Sequence, residues 1–138
     1  MKILTIIRGV SGSGKSTYAE HLKLLDSENT IICTADDYHI NPDTGEYEFD
    51  VDNIHAAHNW CKNKFNYAVK NNVKHVIVNN TSTKRSEFDY YKNYAEERGY
   101  KVFVVVMENW HGGENIHKVP PEVLDRQETN IQNSLKLR

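Results

Sequence analysis

Uninterrupted apolar runs alternate along the chain with segments of helical periodicity. Four of these runs are long enough to form a strand: KILTII (2–7), TIICT (30–34), KHVIVN (74–79) and YKVFVVVM (100–107). Runs of this kind are typical of parallel strands that are buried on both faces of a sheet. We therefore expect four buried parallel strands, of which the fourth is the most apolar.

The segments between and after these runs have the spacing of helices, and they cover residues 15–25, 51–72, 83–98 and 120–135. Asp50 is placed to cap the second helix, Gly99 to end the third, and a proline pair to begin the fourth. Residues 35–50 and 108–118 are polar and are expected to be loops. The apolar stripe of the second helix comprises Ile54, Ala57, His58, Cys61, Phe65 and Ala68.

The alternation of four strands with four helices predicts an α/β fold. We expect a three-layer sandwich in which a mainly parallel sheet of four to five strands is flanked by helices. No internal repeat, low-complexity segment or linker divides the 138 residues, so a single domain over 1–138 is expected.

Composition restricts the partners and the compartment. The chain has 17 Lys and Arg against 19 Asp and Glu, and the net charge of −2 provides no overall basic surface for nucleic acid. Cys33 and Cys61 form no disulfide framework and lack the spacing of metal ligands. No signal peptide or membrane-spanning run is present, so we expect a cytoplasmic protein without a membrane partner.

The stretch RGVSGSGKST (8–17) joins the first strand to the first helix. It matches the complete pattern G-x-x-x-x-G-K-[ST], called Walker A, in which backbone amides surround phosphate groups at a helix N-terminus. We expect ATP here, with Lys15 neutralising its β- and γ-phosphates and Ser16 binding Mg²⁺. The alternative is a glycine-rich turn whose lysine faces water. The predicted nucleotide contacts are Gly9, Ser11, Gly12, Ser13, Gly14, Lys15, Ser16 and Thr17.

Asp36 and Asp37 directly follow the second strand. Ligands of open α/β sheets lie beyond the carboxyl ends of the strands, so a carboxylate here would face the γ-phosphate. Asp36 is therefore a candidate general base and metal ligand, although such a carboxylate can equally cap a helix or face solvent. On the same argument, Asn80 and Thr81 after the third strand are candidates for acceptor binding, although such side chains commonly satisfy the backbone of a turn. Lys84 and Arg85 open a helix, where cations oppose the dipole, so they either contact phosphate or belong to a solvated face.

The segments GVSGSGKSTYAE, TADDYH, VIVNNTSTKRSEFDYYKNYAEERGYKV and NIHKVP together resemble the 5′-hydroxyl polynucleotide kinase family. They are still more similar to related P-loop ATP-binding proteins that share GxYxFD, an AAHxW-like helix and NxHxVP. The resemblance covers almost the whole chain. It implies a P-loop kinase core in which Asp36 is the general base, Lys15 and Ser16 bind phosphate and metal, and His117 contacts the nucleotide.

Three positions depart from the family pattern. His39 stands where these kinases carry a phosphate-binding arginine, Asn80 where they carry an aspartate, and Glu114 at the place of a lid arginine. Arginines at such sites can contribute on the order of 10³-fold to phosphoryl transfer. Either another cation substitutes, or the acceptor differs, or turnover is slow. The candidate cations are Lys84, Arg85, Lys118 and Arg126.

These observations lead to a main hypothesis and two alternatives. The main hypothesis is ATP-dependent phosphoryl transfer to the 5′-hydroxyl of DNA or RNA, with Asp37, His39, Asn80, Thr81 and Arg85 on the acceptor side. One alternative keeps the reaction and uses a small acceptor such as a nucleoside or sugar nucleotide, as zeta-toxin-like kinases do. The other is an ATP-binding module with little or no transfer activity. The oligomeric state remains open.

Overall fold

A computed structural model describes residues 1–82, 84–110 and 119–137. It contains four strands, named β1 (Ile3–Arg8), β2 (Thr30–Cys33), β3 (His75–Asn79) and β4 (Lys101–Val106). The four α-helices are α1 (Lys15–Leu24), α2 (Ile54–Lys70), α3 (Arg85–Glu97) and α4 (Pro121–Asn133). Short 3₁₀ turns cover Ser27–Asn29, Ala35–His39 and Val51–Asn53.

The strands form one parallel sheet in the order β2-β3-β1-β4. β1 lies in the middle, and its first residue, Ile3, is in register with His75 on one side and Lys101 on the other. Because all four strands run in the same direction, the carboxyl ends of β1, β2 and β3 lie at one edge of the sheet. This edge carries the glycine-rich loop (residues 9–16) and the turn that contains Asp36.

Helices cover both faces of the sheet, as the alternation of apolar side chains along β1 requires. Leu4 and Ile6 pack with the apolar side chains of α2 and α3, whereas Ile7 packs with Ala19 of α1 on the opposite face. The predicted α/β sandwich with a parallel sheet flanked by helices is confirmed.

Two of the predicted helix ends are confirmed, and the predicted cap of the second helix is corrected. Asp50 Oδ1 accepts a hydrogen bond of 3.0 Å from the Asp52 amide and so caps the 3₁₀ turn Val51–Asn53, whereas the N-cap of α2 is Asn53. Gly99 follows α3 with a φ of +82°, a left-handed conformation that glycine adopts without a steric cost. Pro121 is the first residue of α4, where its missing amide hydrogen has no consequence.

Three expectations need correction. The segment 35–50 is not a loop throughout, because it contains the 3₁₀ turn Ala35–His39 and an antiparallel bridge between Ile40 and Tyr47. β4 is not buried on both faces, because it is an edge strand, and Phe103 and Val104 are 46% and 43% exposed. In addition, two members of the predicted stripe on α2, Ile54 and His58, are exposed near the N-terminal end of the helix.

Among the described residues, none of the helices combines the length and the apolar character that a membrane span needs.

The packing of α2 on the sheet can be tested at Phe65. This ring is fully buried, and its centroid lies 4.9 Å from that of Tyr91 on α3 in an edge-to-face arrangement. We expect Phe65→Ala to lower the free energy of unfolding by about 3–5 kcal/mol, because the deletion leaves a cavity between the helices. Urea denaturation monitored by circular dichroism measures this loss. Phe103→Ala on the exposed face of β4 is the matched control, and an equal loss in both variants would contradict the assignment of the core.

Candidate functional site

The glycine-rich loop is shaped by residues that have no side chain. Gly12 and Gly14 have φ angles of +85° and +94°, in the left-handed region that favours glycine. A Cβ atom on Gly9 would lie 2.5 Å from Ser13 Oγ and 3.1 Å from the Met107 carbonyl oxygen, so no larger residue fits there. The loop ends at Gly14, the N-cap of α1, and the first amides of this helix are therefore available to an anion.

Lys15 lies across this loop and near Asp36. Its Nζ donates a hydrogen bond of 3.0 Å to the carbonyl oxygen of Val10. Burial lowers the pKa of Lys15 to about 8, and the negative charge of Asp36 partly opposes this shift. The structure therefore brings together the lysine and the aspartate that the sequence assigned to phosphate binding and proton transfer.

Ser16 is supported by a side chain that the sequence analysis did not single out. Asn79, the last residue of β3, is only 5% exposed, and its Nδ2 donates to Ser16 Oγ at 3.3 Å. The sequence does show that Asn79 ends a predicted strand. Its place beside Ser16 depends on β3 being the neighbour of β1, and the sequence does not show the order of the strands. Ser16 and the following Thr17 are themselves exposed at the start of α1.

The turn that carries Asp36 and Asp37 is held by two polar side chains. Thr34 Oγ1 accepts from the amide of Asp36 at 3.3 Å, and Asn80 Oδ1 accepts from the amide of Ala35 at 2.8 Å. The structure thus places Asn80, a predicted acceptor-binding residue, as a support for the turn. Asn80 Nδ2 also donates to Cys61 Sγ on α2 at 3.7 Å.

Asp37 lies in a different electrostatic environment from that of Asp36. Burial raises the pKa of the Asp37 carboxyl, the positive charge of Lys64 lowers it, and the charges of Asp36 and Glu20 raise it. The proton affinity of Asp37 is therefore set by α1 and α2, whereas Asp36 interacts with Lys15 of the glycine-rich loop.

The remaining predicted acceptor residues are not brought together. His39 is only 7% exposed, and its ring centroid lies 5.8 Å from those of Tyr38 and Tyr47 and 5.0 Å from that of Phe49. This packing makes His39 part of an aromatic cluster.

Thr81 contributes its carbonyl oxygen, which accepts from the Gly9 amide at 3.3 Å, so it fastens the loop. Arg85 is exposed at the first turn of α3. Their roles toward an acceptor stay predictions. His117, like Glu114 and Lys118, lies outside the described residues.

Arg8 is a second residue that the sequence analysis missed. It is the last residue of β1 and only 2% exposed, although it carries a guanidinium group. Its Nε donates to the Ser82 carbonyl oxygen and its terminal nitrogen to Ser134 Oγ, both at 2.6 Å. The guanidinium carbon lies 4.6 Å from the centroid of the Phe88 ring. Burial lowers the pKa of Arg8, and Glu87 opposes this shift.

Helix α4 contacts the same region through polar groups. Gln127 Oε1 accepts a hydrogen bond of 3.1 Å from the amide of Ser11, in the glycine-rich loop. Ser134, which follows α4, accepts from Arg8 and donates to the Ile131 carbonyl oxygen at 2.9 Å. Ile131 is the buried apolar residue of α4. Hydrogen bonds from Ser11 to Gln127 and from Arg8 to Ser134 therefore connect α4 and the residue after it to the glycine-rich loop and β1.

The donor set at this edge fits a magnesium ion that arrives with phosphate oxygens. Mg²⁺ prefers oxygen ligands and usually combines one or two carboxylates with waters and substrate phosphates. Ser16 supplies a hydroxyl and Asp36 a carboxylate, and both are exposed. Among the described residues, no group of three or more His, Cys, Asp and Glu side chains could hold a metal ion.

Comparison with known proteins agrees with this geometry. A family model described as AAA domain matches residues 4–109. Human NEDD4-binding protein 2 is 30% identical in an alignment 137 residues long that covers 94% of this chain and 8% of that protein. The chain thus spans less than a tenth of the length of this curated relative.

Solved structures establish the same fold. A chain of the Pnkp1/Rnl/Hen1 RNA repair complex superposes with a TM-score of 0.72 at 20% identity, over 96% of this chain and 45% of that one. The APS kinase of Mycobacterium tuberculosis superposes with a TM-score of 0.55 at 17% identity, over 96% of this chain and 95% of that one. The gluconokinase of Sinorhizobium meliloti superposes with a TM-score of 0.53 at 17% identity, over 99% of this chain and 77% of that one. The four-stranded parallel sheet flanked by helices is thus the P-loop kinase-like fold.

The structural role of Arg8 can be tested with an apolar side chain of similar length. Arg8→Met leaves the Ser82 carbonyl oxygen without its donor in the protein interior, so we expect a loss of about 2 kcal/mol in the free energy of unfolding. Ser134→Ala removes the second of the two 2.6 Å bonds and keeps the first, and should cost about 1 kcal/mol or less. Guanidinium denaturation measures both values. An Arg8→Met protein as stable as the unsubstituted chain would contradict the role of Arg8.

Proposed function

The chain belongs to the AAA domain family, and from this premise we propose that it is an ATP-dependent kinase that transfers a phosphoryl group to a hydroxyl. The observation that carries the proposal is that Lys15 of the glycine-rich loop lies within the electrostatic influence of Asp36, so that a cation for phosphate and a carboxylate for a proton are close together. A domain that only binds nucleotide does not need a carboxylate placed to take a proton from an acceptor.

The nucleotide site is proposed along the loop from Gly9 to Thr17. The amides at the start of α1 and the Lys15 ammonium suit the charge of a triphosphate. Two P-loop proteins of the same fold were solved with such ligands, the Mycobacterium tuberculosis APS kinase with AMPPNP and Kti12 of Chaetomium thermophilum with ADP-AlF3. ATP is therefore the proposed phosphoryl donor, and Ser16 and Asp36 are the residues that would hold Mg²⁺. When bound, the ion neutralises charge on the β- and γ-phosphate oxygens.

The proposed reaction is an in-line displacement at the γ-phosphorus. The acceptor hydroxyl oxygen forms a bond to phosphorus, the bond to the β,γ-bridging oxygen breaks, and ADP leaves with that electron pair. The Asp36 carboxylate takes the hydroxyl proton. Lys15 moves from the Val10 carbonyl oxygen to the phosphates and stabilises their charge. Asn80 keeps Asp36 in place through the Ala35 amide and acts as a positioning residue.

The proposed acceptor is the 5′-hydroxyl of DNA or RNA. Support comes from the resemblance to polynucleotide kinases and from the solved RNA repair complex of the same fold. Asp37, Thr81 and Arg85 would contact the acceptor strand; the buried position of His39 is less favourable for such a contact.

A small hydroxyl compound is the second candidate. It is favoured by the net charge of −2, and by the fold shared with APS kinase and gluconokinase.

Transfer from γ-labelled ATP distinguishes these candidates. The acceptor panel contains 5′-hydroxyl oligonucleotides of DNA and RNA, nucleosides, and small sugars. A polynucleotide acceptor that contacts several phosphates should lose affinity steeply as salt increases, whereas a small acceptor should not. Absence of labelled product with every acceptor, together with normal ATP binding, would contradict the kinase proposal.

The role of Asp36 as general base predicts a selective loss. We expect Asp36→Asn to lower the transfer rate by about 10²–10⁴-fold, because an amide accepts no proton from the hydroxyl. The affinity for MgATP, measured by calorimetry, should stay nearly unchanged. Asp43→Asn, which alters an exposed carboxylate in the same segment, is the matched control. Full activity in Asp36→Asn would remove this residue from the mechanism.

The low pKa of Lys15 predicts how ATP binding depends on pH. Phosphate favours the charged ammonium, which the free protein loses as the pH rises through about 8. We therefore expect the Kd for MgATP to be constant near pH 7 and to rise by up to about tenfold per pH unit above pH 8. Calorimetry at several pH values gives this profile. Lys15→Met should bind ATP weakly and without that dependence, and a flat profile in the unsubstituted protein would contradict the assignment.

A further inference from the structure

The edge strand β4 is open along its outer side. It pairs with β1 alone, and within the described residues no further strand lies beside it. The amides of Lys101 and Met107 donate to carbonyl oxygens on the β1 side of the sheet, at 3.0 and 2.7 Å. Peptide groups alternate in direction along a strand, so every second residue of β4 points its amide and carbonyl groups away from the sheet. These outward residues are Val102, Val104 and Val106.

The side chains of β4 are also incompletely covered on both faces of the sheet. Phe103 is in register with Thr5 and lies on the face of α1, whereas Val104 is in register with Ile6 and lies on the face of α3. The two side chains are 46% and 43% exposed. A strand that combines exposed apolar side chains with open peptide groups is a template for pairing with another chain.

The sequence does little to protect this edge. Exposed edge strands are usually kept single by charged residues, by proline or by a bulge. Residues 102–107, VFVVVM, contain no charge and no proline. Lys101 is the charged residue of β4, and it stands at the first position, where its Nζ lies 5.6 Å from the centroid of the Phe103 ring. The outward residues that follow are therefore free to pair.

We propose that β4 is a self-association surface, formed by residues 101–107, on which a second copy of this chain adds its own β4. The two strands run antiparallel across a two-fold axis, and the two four-stranded sheets become one continuous sheet. A two-fold axis brings identical patches together, so each copy supplies the same strand and receives the same strand. This inference goes beyond the proposed kinase reaction and does not depend on it.

The outward peptide groups define the register of the two strands. Residues that exchange hydrogen bonds across an antiparallel pair must both point to the partner strand. All three outward residues are used when Val104 faces its own copy and Val102 faces Val106, which gives about six hydrogen bonds. In this register Phe103 lies opposite Val105 of the second copy on the α1 face. An aromatic side chain opposite a β-branched one is a favourable cross-strand pair.

The charges at the two ends of β4 suit a second copy of the same strand. In the register above, Lys101 lies opposite Met107 of the second copy and next to Glu108, which follows Met107 in the chain. The two copies of Lys101 are about 20 Å apart along the strands, so like charges do not meet. The strand thus has a basic start, an apolar middle and an acidic end, and an antiparallel copy complements all three.

The size of the contact sets its strength. A pair of short strands buries less than the roughly 1,200 Å² of a standard interface, so we expect a weak dimer with a Kd of about 10–100 μM. The chain is then largely monomeric at about 1 μM. The glycine-rich loops lie at the carboxyl ends of the strands, and antiparallel joining places them at opposite edges of the continuous sheet. Both loops stay open, so the affinity for MgATP should not depend on dimerisation.

Sedimentation equilibrium of the whole chain, at concentrations from about 1 to 500 μM, measures the association. We expect the average mass to increase from 16.0 kDa toward twice that value. Val104→Lys should raise the Kd of the dimer by about tenfold or more, because it brings two like charges opposite each other at the axis. Val51→Lys alters a valine that is 66% exposed in the turn before α2, and this matched control should dimerise as the unsubstituted chain does. Calorimetry with MgATP shows that both variants are folded.

A second pair of variants tests the register without adding charge. Val104→Cys places two thiols opposite each other, with Cα atoms about 5.5 Å apart, which a disulfide can span. Phe103→Cys is the control, because its two copies stand in diagonal positions about 7–8 Å apart, beyond that range. Oxidised glutathione accepts the two electrons, and non-reducing electrophoresis detects the covalent dimer. Cys33 and Cys61 are fully buried and do not compete.

The outcomes separate the self-association surface from an edge that another molecule covers or that stays single. A chain that remains monomeric over the whole concentration range would overturn the inference, and so would a dimer that Val104→Lys leaves intact. Covalent dimers from Phe103→Cys but not from Val104→Cys would contradict the register. If Val104→Lys does not fold, the cysteine variants decide: a covalent dimer from Val104→Cys supports the inference, and its absence overturns it.

Discussion

The central position of β1 in a parallel sheet is the constraint on which the rest of the structure depends. Its backbone is paired with β3 on one side and β4 on the other up to its last residues. The same pairing continues past the strand, since the Met107 amide donates to the Arg8 carbonyl oxygen at 2.7 Å and the Gly9 amide to that of Thr81 at 3.3 Å. The glycine-rich loop therefore begins at a fixed point, and its amides have a defined direction.

The segment 79–82, which begins with the last residue of β3, links this fixed point to the other parts of the site. Four consecutive residues each contact a different element: Asn79 the Ser16 hydroxyl, Asn80 the Ala35 amide, Thr81 the Gly9 amide, and Ser82 the Arg8 side chain. Ser82 adopts a φ of +48°, which is uncommon for a residue with a side chain. Polar contacts thus hold the loops, where few apolar side chains are available.

Burial affects the charged groups at this edge in opposite ways. The pKa of Lys15 is lowered and that of Asp37 is raised, because the protein shields each group in part from water. Each shift is opposed by a charge of opposite sign, Asp36 for Lys15 and Lys64 for Asp37. Opposite charges therefore act on each other at two places in the site, Lys15 with Asp36 at the proposed nucleotide position and Lys64 with Asp37 at the turn after β2.

The sequence by itself determined the strands and helices, the glycine-rich loop and the place of Asp36, because these depend on local spacing. Each of these signals lies within a few neighbouring residues. They are the hydrophobic periodicity, the spacing of the glycines and the carboxylate directly after a strand. The order of the strands in the sheet decided which strand is exposed and which distant residues meet at the site. It made β4 an exposed edge, placed Asn79 beside Ser16, and brought Lys64 of α2 close to Asp37 of the turn after β2. Arg8 and Gln127 became visible only in the fold, since their partners come from distant segments whose approach no local pattern encodes.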